Sequence, residues 1–400
     1  DIEIQDIQGL DNLGLSWSFT DNKITGTPNT SGTKELVVKF SFGNLQPVKY
    51  YTKSIHLVVN PDPRTLWKNL PSDQTAPFWK TDNAMDTGSV GGRSLVVCSK
   101  RGRSHQHKGT FRDDHYSFSN FESNGWSVVA VSDGAGSAKY SREGSKIACE
   151  AVINYFLSLS ESSTPTALAG LDNMLSSYTK MPPGEDIDAL SNHAKKKLLY
   201  PAVIKVHETL KSKVQEFAKA ELNLFDTESP LEQLSEFHAT LIFCLFKKFK
   251  YGYVLLTFGV GDCPSSVAYT GEDNSPQVKL LNLLDVGEYG GGTRFITQPK
   301  IFVPQAEIPM AKRFSMNIVP NFDYLFLMTD GIYDPKFEVE ANLEKVEYWM
   351  AFVNDLQGDN EDKVAISFEP NNSEVAPQLS AWMDFFSKGN HDDRTLAIVY

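Results

Sequence analysis

Residues 128 to 152, VVAVSDGAGSAKYSREGSKIACEAV, contain a strand, a turn of small residues and a helix. The apolar run Val128 to Val131 predicts a buried strand, and apolar residues recur at helical spacing after residue 140. Asp133 stands where the strand ends, and Gly134 and Gly136 let other groups approach the backbone closely. A carboxylate beside an exposed carbonyl suits a hard divalent cation. An aspartate in such a turn also commonly satisfies turn amides, so a single example decides nothing.

The same arrangement, an apolar strand with aspartate at one end, recurs elsewhere in the chain. It is present at Asp113 and Asp114, Asp262, Asp330 with Asp334, and Asp392 with Asp393. If these strands share one β core, their ends can meet at one rim, where the gathered carboxylates would repel each other strongly. Mg²⁺ or Mn²⁺ would relieve that repulsion, since thiolate and imidazole ligands for zinc are absent from these motifs. Two such ions can share a nucleophilic water and bind a phosphoryl group, so we expect phosphate-ester hydrolysis.

The composition is that of an ordinary globular protein with an acidic surface. The 400 residues include 50 Asp and Glu against 38 Lys and Arg, which gives a net charge of -12 and argues against nucleic acid or an anionic membrane as the main partner. No apolar run approaches the ~20 residues that span a bilayer. The four cysteines form no CxxC pair and are expected to be reduced core residues, which predicts a cytoplasmic protein.

Three segments of different character are visible along the chain. Residues 1 to 60 carry short alternating runs separated by turn residues, which predicts a small antiparallel β-sandwich. Within them, WSF at 17 to 19, ITGTP at 24 to 28 and SGT at 31 to 33 resemble a repeat of immunoglobulin-like domains, whose usual role is spacing or binding. Residues 61 to 92 are punctuated by proline and glycine and are interpreted as a linker.

Residues 93 to 400 are expected to form one large α+β domain. Two helices follow the Asp133 turn and then several strands come in succession, so strands and helices do not alternate one-to-one. That order favours antiparallel sheets flanked by helices over a doubly wound parallel sheet. Residues 160 to 193, rich in Ser, Thr, Pro and Gly, are predicted to be a surface excursion with one short helix.

An ordered set of motifs runs through this large domain. The set comprises GRSHQHKGTFRDD at 102 to 114, SDGAGSAK at 132 to 139, HAT at 238 to 240, GD at 261 to 262, GEYGGGTRF at 287 to 295, TDGIYD at 329 to 334 and DDRTL at 392 to 396. In content and order it resembles the metal-dependent serine/threonine protein phosphatases of the 2C type, most closely their bacterial branch. The resemblance implies a four-layer αββα sandwich, that is, two antiparallel sheets flanked by helices, with metals at one end.

The resemblance also implies a role for each matching residue. It makes Asp133 the bridge between two Mn²⁺ or Mg²⁺ ions, gives one ion the carbonyl of Gly134 and gives the other Asp330 and Asp392. It lets Asp113 or Asp114 act on the metals directly or through water. It assigns Asp262 and Asp334 to a third, looser ion that is seen in some members. Asp393 stands where the family usually has Asn, so Asp392 and Asp393 are both candidate ligands, and chain order favours Asp392.

Two functional positions depart from the family pattern. Ala135 stands where many relatives have a histidine that can protonate the leaving group. His105 is the candidate general acid in its place, although a lone histidine is more often structural. Arg103 and Arg112 are the candidates for binding the phosphate, since arginine suits bidentate contact, but either could equally be a surface charge.

The sequence therefore predicts a metal-dependent protein serine/threonine phosphatase that attacks phosphoserine and phosphothreonine with a water activated by two metal ions. The expected partners are a phosphorylated protein substrate and a Ser/Thr kinase, with the N-terminal module as a further protein-binding surface. The alternative is a catalytically weak or inactive phosphatase-like module that binds a phosphoprotein or a kinase. Ala135 and the uncertain phosphate-binding arginine favour that alternative, whereas the complete set of carboxylates argues against it.

Overall fold

The computed structural model describes residues 2–43, 47–62, 65–220, 224–285 and 292–400. The chain divides into two compact units, Asp1–Lys68 and Asn69–Tyr400. Within the described ranges, no helix is both long enough and apolar enough to cross a membrane.

The N-terminal unit is built of β-strands, as predicted. Its strands are β1 (Ile2–Gln8), β2 (Leu15–Ser18), β3 (Lys23–Gly26), β4 (Gly32–Phe42) and β5 (Tyr50–Val59). They form a three-stranded sheet in the order β1-β4-β5 and a β2-β3 hairpin. The small core contains Leu10, Leu13 and Leu36. The finer likeness to an immunoglobulin-like domain stays a prediction.

The second unit contains two antiparallel sheets. The first, in the order β14-β11-β10-β9-β8, consists of β8 (His115–Phe121), β9 (Trp126–Ser132), β10 (Leu241–Phe249), β11 (Gly252–Val260) and β14 (Phe314–Val319). The second, in the order β13-β12-β15-β16-β7-β6, consists of β6 (Asn83–Val90), β7 (Arg93–Lys100), β12 (Ser265–Thr270), β13 (Pro276–Leu280), β15 (Tyr324–Met328) and β16 (Arg394–Val399).

Apolar side chains on both faces of these sheets create four layers. Between the sheets, Val129 and Ile242 of the first pack in one core with Val97 and Leu327 of the second. Residues of the opposite faces, such as Val128 and Phe326, pack in separate cores with the helices. Strands buried on both faces read as continuous apolar runs, which explains why Val128 to Val131 shows no alternation. The predicted α+β sandwich flanked by helices is confirmed.

Helices cover the outer face of each sheet. The helices in the described part of this unit are α1 (Arg103–Lys108), α2 (Ser141–Ser160), α3 (Ala167–Ser176), α4 (Gly184–Ala194), α5 (Tyr200–Lys219), α6 (Pro230–Ser235), α7 (Asp330–Phe337), α8 (Val346–Leu356) and α9 (Val375–Trp382), with a π-helical turn (Lys195–Leu199) joining α4 to α5. The supposed surface excursion contains all of α3 and most of α4. Thr166 caps α3, and Leu171 and Leu175 bury its apolar face, a pattern that the many polar residues around it concealed.

The segment interpreted as a linker is in part a strand. β6 pairs with β7 along its whole length, from Asn83 opposite Lys100 to Val90 opposite Arg93. Its sequence, NAMDTGSV, is mostly small and polar because an edge strand exposes most of its side chains. It therefore lacks the apolar signal by which the other strands were predicted.

Candidate metal centre

The register of the strands brings the predicted aspartates to one end of the sandwich. Val131 near the end of β9 pairs with Ile242 near the start of β10, and Met328 at the end of β15 pairs with Leu396 near the start of β16. Aspartates that follow β9 and β15, or precede β16, therefore meet at one edge of the sandwich. This edge, the carboxylate rim, consists of Asp113, Asp114, Asp133, Asp262, Asp330, Asp392 and Asp393.

Asp133 is fixed by its own main chain. Its amide donates to Thr240 Oγ1 at 2.9 Å, and its carbonyl accepts from the Thr240 amide at 2.8 Å. Gly134 forms a β-bridge with Ala239, so the turn after β9 is tied to the start of β10. The side chain of Asp133 is therefore presented from a fixed backbone.

The rim aspartates are electrostatically strained in the absence of cations. Burial, followed by the charges of Asp330, Asp114 and Asp392, raises the pKa of Asp133 well above its usual value. Burial and the charges of Asp392 and Asp262 do the same to the pKa of Asp330. Ligand oxygens of Asp133 and Asp262 lie within 4.8 Å of each other and of the Cys263 sulfur. Carboxylates this close need either protons or cations between them.

Asp114 is held through one of its two carboxylate oxygens. Its Oδ2 accepts from the hydroxyls of Thr329 at 2.9 Å and Thr395 at 2.7 Å. The hydroxyl of Thr395 is also 2.7 Å from the hydroxyl of Ser99. Ser99 in turn accepts a hydrogen bond from Arg112 at 2.7 Å. The motifs contained both threonines, but no role was inferred for them, because only the folded chain brings residues 114, 329 and 395 together.

Within the described part of the chain, three buried carboxylate oxygens at the rim have no hydrogen-bond partner. They are the Oδ1 atoms of Asp114, Asp262 and Asp330. Leaving such a group unpaired costs about 1–3 kcal/mol, and more when it is charged. Oxygen donors in this number suit Mg²⁺ or Mn²⁺, so the residues present fit the metal that the sequence predicts.

Asp392 and Asp393 occupy different environments, which bears on the choice between them. Asp393 accepts from the amides of Gly102 at 2.6 Å and Asp113 at 2.5 Å, so both of its oxygens are engaged by main chain. The side chain of Asp392 is 42% exposed and contributes to the raised pKa of Asp330. The geometry therefore favours Asp392 as the ligand and Asp393 as a buried anchor.

His105 lies among these carboxylates. Its Nδ1 is 3.1 Å from Asp393 Oδ1 and 3.9 Å from Asp113 Oδ2, and its Nε2 is 3.5 Å from Asp392 Oδ1. Burial alone would lower the pKa of His105, but Asp393, Asp392 and Asp113 raise it to about 10. The structure thus places the predicted general acid beside the rim, with a carboxylate near each ring nitrogen.

The two predicted third-ion residues are held from outside the rim. Thr293 donates to Asp262 Oδ2 at 2.7 Å, and Asn390 donates to Asp334 Oδ2 at 3.0 Å. Thr293 belongs to the GEYGGGTRF motif, of which residues 287 to 291 lie outside the described part of the chain.

The two candidate phosphate-binding arginines lie in different surroundings. Arg112 is 3% exposed and donates to the carbonyls of Thr81 and Asp114 and to Ser99. These bonds give Arg112 a structural role, and its assignment to phosphate binding stays a prediction. Arg103 donates to the carbonyl of Asp384 at 2.9 Å, and its role in phosphate binding stays a prediction.

A comparison with protein families identifies the group to which this arrangement belongs. The family model described as Protein phosphatase 2C matches residues 101–382, well over half of the chain. The chain belongs to the protein phosphatase 2C family. This family is metal-dependent, in agreement with the carboxylates at the rim. No curated protein matched the sequence closely enough to count as a relative.

Solved structures of similar fold are remote. Serine/threonine phosphatase Stp1 from Staphylococcus aureus is 15% identical, with a TM-score of 0.39 over 79% of this chain and 97% of its own. A serine-threonine phosphatase 2C from Toxoplasma gondii is 12% identical, with a TM-score of 0.41 over 79% and 98%. RsbX, solved in complex with magnesium, is 10% identical, with a TM-score of 0.37 over 79% and 100%. The family match, and not these likenesses, carries the assignment.

Proposed function

We propose that this member of the protein phosphatase 2C family is a metal-dependent protein serine/threonine phosphatase. The observation that carries the proposal is the carboxylate rim, where three buried oxygens, of Asp114, Asp262 and Asp330, have no partner among the residues that the structure describes. A site retained only for its shape would have no reason to keep these carboxylates so close together, because their mutual repulsion destabilises the fold.

In this proposal the metal ligands are those that the sequence predicts. Asp133 would serve both ions, with the carbonyl of Gly134 serving one of them and Asp330 and Asp392 the other. Asp114 and Asp113 would act directly or through water, and Asp262 and Asp334 would serve a third ion. Divalent ions held there would activate a water for attack on phosphorus and neutralise charge on the phosphoryl oxygens.

In this proposal, side chains near the rim position the metal ligands, and one of them protonates the leaving group. Thr329 and Thr395 orient Asp114 so that Oδ1 is left for the site. Thr240 fixes the main chain of Asp133. We retain His105 as the proposed proton donor to the leaving group, since its Nε2 lies 3.5 Å from Asp392 at the exposed side of the rim.

The phosphatase activity is tested with p-nitrophenyl phosphate and with phosphoserine, phosphothreonine and phosphotyrosine peptides. We expect hydrolysis of p-nitrophenyl phosphate and of the first two peptides in Mn²⁺, with loss of activity in EDTA or in Asp133→Asn. Activity that survives complete chelation would overturn the metal-dependent mechanism, and a preference for phosphotyrosine would overturn the substrate class.

The role of His105 is tested by comparing leaving groups. p-Nitrophenolate leaves without a proton, whereas the alkoxide of serine needs one. We therefore expect His105→Gln to slow a phosphoserine peptide at least ~10-fold more than p-nitrophenyl phosphate. Equal slowing of both substrates would show that His105 only positions the carboxylates.

The second candidate function is a binding module for a phosphoprotein or a kinase with little turnover. Ala135 at the usual proton-donor position and the engagement of Arg112 by main chain favour it. Calorimetry separates the two functions, since a binding module without metal would show no uptake of Mn²⁺ in the micromolar-to-millimolar range. The proposed phosphatase is also expected to be cytoplasmic, which its four free buried cysteines support. Protein binding by the N-terminal unit is likewise part of the proposal.

A further inference from the structure

Residues 69–82, here called the strap, precede β6 and contain neither helix nor strand. Three buried arginines hold the strap by its carbonyl groups. Arg101 donates to Leu70, Arg142 to Pro77 and Phe78, and Arg112 to Thr81. Arginine presents several donors in a fixed plane and remains charged when buried, so it suits an irregular segment whose carbonyls have no sheet partner.

The ring of Phe78 fixes the middle of the strap. It lies 4.9 Å from the ring of Phe217 and 5.6 Å from that of Tyr140. Its φ of 60° is unusual for a residue other than glycine, and such a conformation persists only where the surroundings enforce it. The strap is therefore held in one conformation two residues before Lys80.

Lys80 reaches from the strap to the main chain of the acidic pair Asp113 and Asp114. Its Nζ donates to the Asp114 carbonyl at 2.7 Å, and lies 3.4 Å from the Asp113 carbonyl and 3.5 Å from Ser145 Oγ. Ser145 also donates to the Asp113 carbonyl, at 2.5 Å. The two carbonyls thus point to a lysine, and the carboxylates of the same residues point to the rim.

These contacts extend to the turn of Asp133. The carbonyl of Asp113 would lie only 2.7 Å from a Cβ atom at Gly134, so the two main chains touch directly. A shift of the acidic pair would therefore displace Gly134 as well. In addition, the Lys80 charge acts against the burial and the Asp393 charge that together raise the pKa of Asp113.

We propose that Lys80 is a positioning residue of the active site, which sets the acidic pair and, through the Asp113 carbonyl, the Gly134 turn in the arrangement that binds metal. The inference rests on the proposed function for its effect on turnover, but its effect on metal binding can be measured without turnover. It makes the strap, which begins directly after the N-terminal unit, a part of the catalytic machinery.

The test compares Lys80→Met and Lys80→Gln with the matched control Lys247→Met. Lys247 is also mostly buried, with 18% of its side chain exposed and a partner, Asp172, at 2.6 Å, but it lies in β10 beyond the part of that strand that pairs with β9. Mn²⁺ affinity by calorimetry, kcat and KM on p-nitrophenyl phosphate, and Tm are measured for each protein.

A positioning role predicts that Lys80→Met weakens Mn²⁺ binding about 10-fold and lowers kcat about 10- to 100-fold with KM within about twofold. Lys80→Gln keeps a hydrogen-bond donor and should fall between Lys80→Met and the wild type. Lys247→Met should keep wild-type Mn²⁺ affinity and kcat whatever its Tm. If Lys80→Met does not fold, the comparison of Lys80→Gln with Lys247→Met decides.

Two results would overturn the inference. One is wild-type Mn²⁺ affinity in the folded fraction of the Lys80 variants. The other is a loss that follows Tm equally in the Lys80 and Lys247 variants, which is what a merely structural lysine would give. A wild-type protein that binds Mn²⁺ but hydrolyses no phosphoester would refute the proposed function, and the affinities would still test the role of Lys80.

Discussion

Gly134 offers a sharp test of the carboxylate rim, because an added methyl group would act on its geometry alone. An ideal Cβ atom at this position would lie 2.7 Å from the carbonyl oxygen of Asp113, 2.9 Å from the Asp113 Cβ and 3.0 Å from the carbonyl carbon of Ser141. All three are main-chain or Cβ atoms and cannot rotate away. The φ of Gly134 is not in the left-handed region, so alanine carries no backbone penalty of its own.

The size of the effect follows from these distances. Ordinary contacts between heavy atoms lie at about 3.5–4.0 Å, so the Asp113 main chain or the Asp133 turn must move by roughly 0.5–1 Å. A displacement of about 1 Å at a catalytic site costs up to ~100-fold in rate. We therefore expect Gly134→Ala to lower kcat about 10- to 100-fold, and overpacking to cost about 1–3 kcal/mol of stability.

Gly136, two residues further along the same turn, is the matched control. A Cβ atom there would meet none of the described residues within 4 Å, and its φ is not positive. Gly136→Ala should keep kcat within about twofold of wild type. Both variants are assayed on p-nitrophenyl phosphate at saturating Mn²⁺, with folding checked by circular dichroism. A folded Gly134→Ala with wild-type kcat would refute the close packing of Asp113 on this turn.

Three further outcomes are expected. Without metal, the free energy of unfolding contributed by Asp113 and Asp114 should fall as pH rises from about 4 to about 7, because burial and Asp393 raise the folded pKa of each to about 7. Urea denaturation in EDTA measures the free energy of unfolding at each pH, and a rise in stability over that range would contradict the prediction. Mn²⁺ at 100 times its Kd should add about 2.7 kcal/mol per site, seen as a higher Tm, whereas an unchanged Tm would exclude a site in the folded state. Thr395→Val removes one hydroxyl that donates to Asp114 and should lower the free energy of unfolding by about 0.5–1.5 kcal/mol. It should also lower kcat about 10-fold in the same phosphatase assay. Unaltered turnover would show that Thr329 alone is enough to orient Asp114.

The layers and the rim were predictable because their signals are local. Apolar runs such as Val128 to Val131 mark strands that are buried on both faces, and an aspartate directly after such a run must lie where the strand ends. The resemblance carried by the ordered motifs then implied that these strand ends meet at one end of the sandwich. The same locality explains the errors, since the edge strand β6 buries too little to show a pattern and the polar sequence around α3 hides its apolar face.

The supporting contacts could not be predicted, because they join residues far apart in the chain. Thr329 and Thr395 are 215 and 281 positions from Asp114, and Lys80 is 34. Nothing in the sequence near Lys80 distinguishes it from a solvated lysine. The bonds of Arg112 could not be predicted for the same reason, since its partners Thr81 and Ser99 are identified only by the fold.

Metal binding at the carboxylate rim is tested most directly by anomalous diffraction from crystals soaked in Mn²⁺. We predict anomalous peaks among Asp133, Asp330 and Asp392 that disappear when Asp133 is replaced by Asn. Crystals that show no peak at the rim, at a Mn²⁺ concentration that supports phosphatase activity in solution, would contradict a metal centre at these residues.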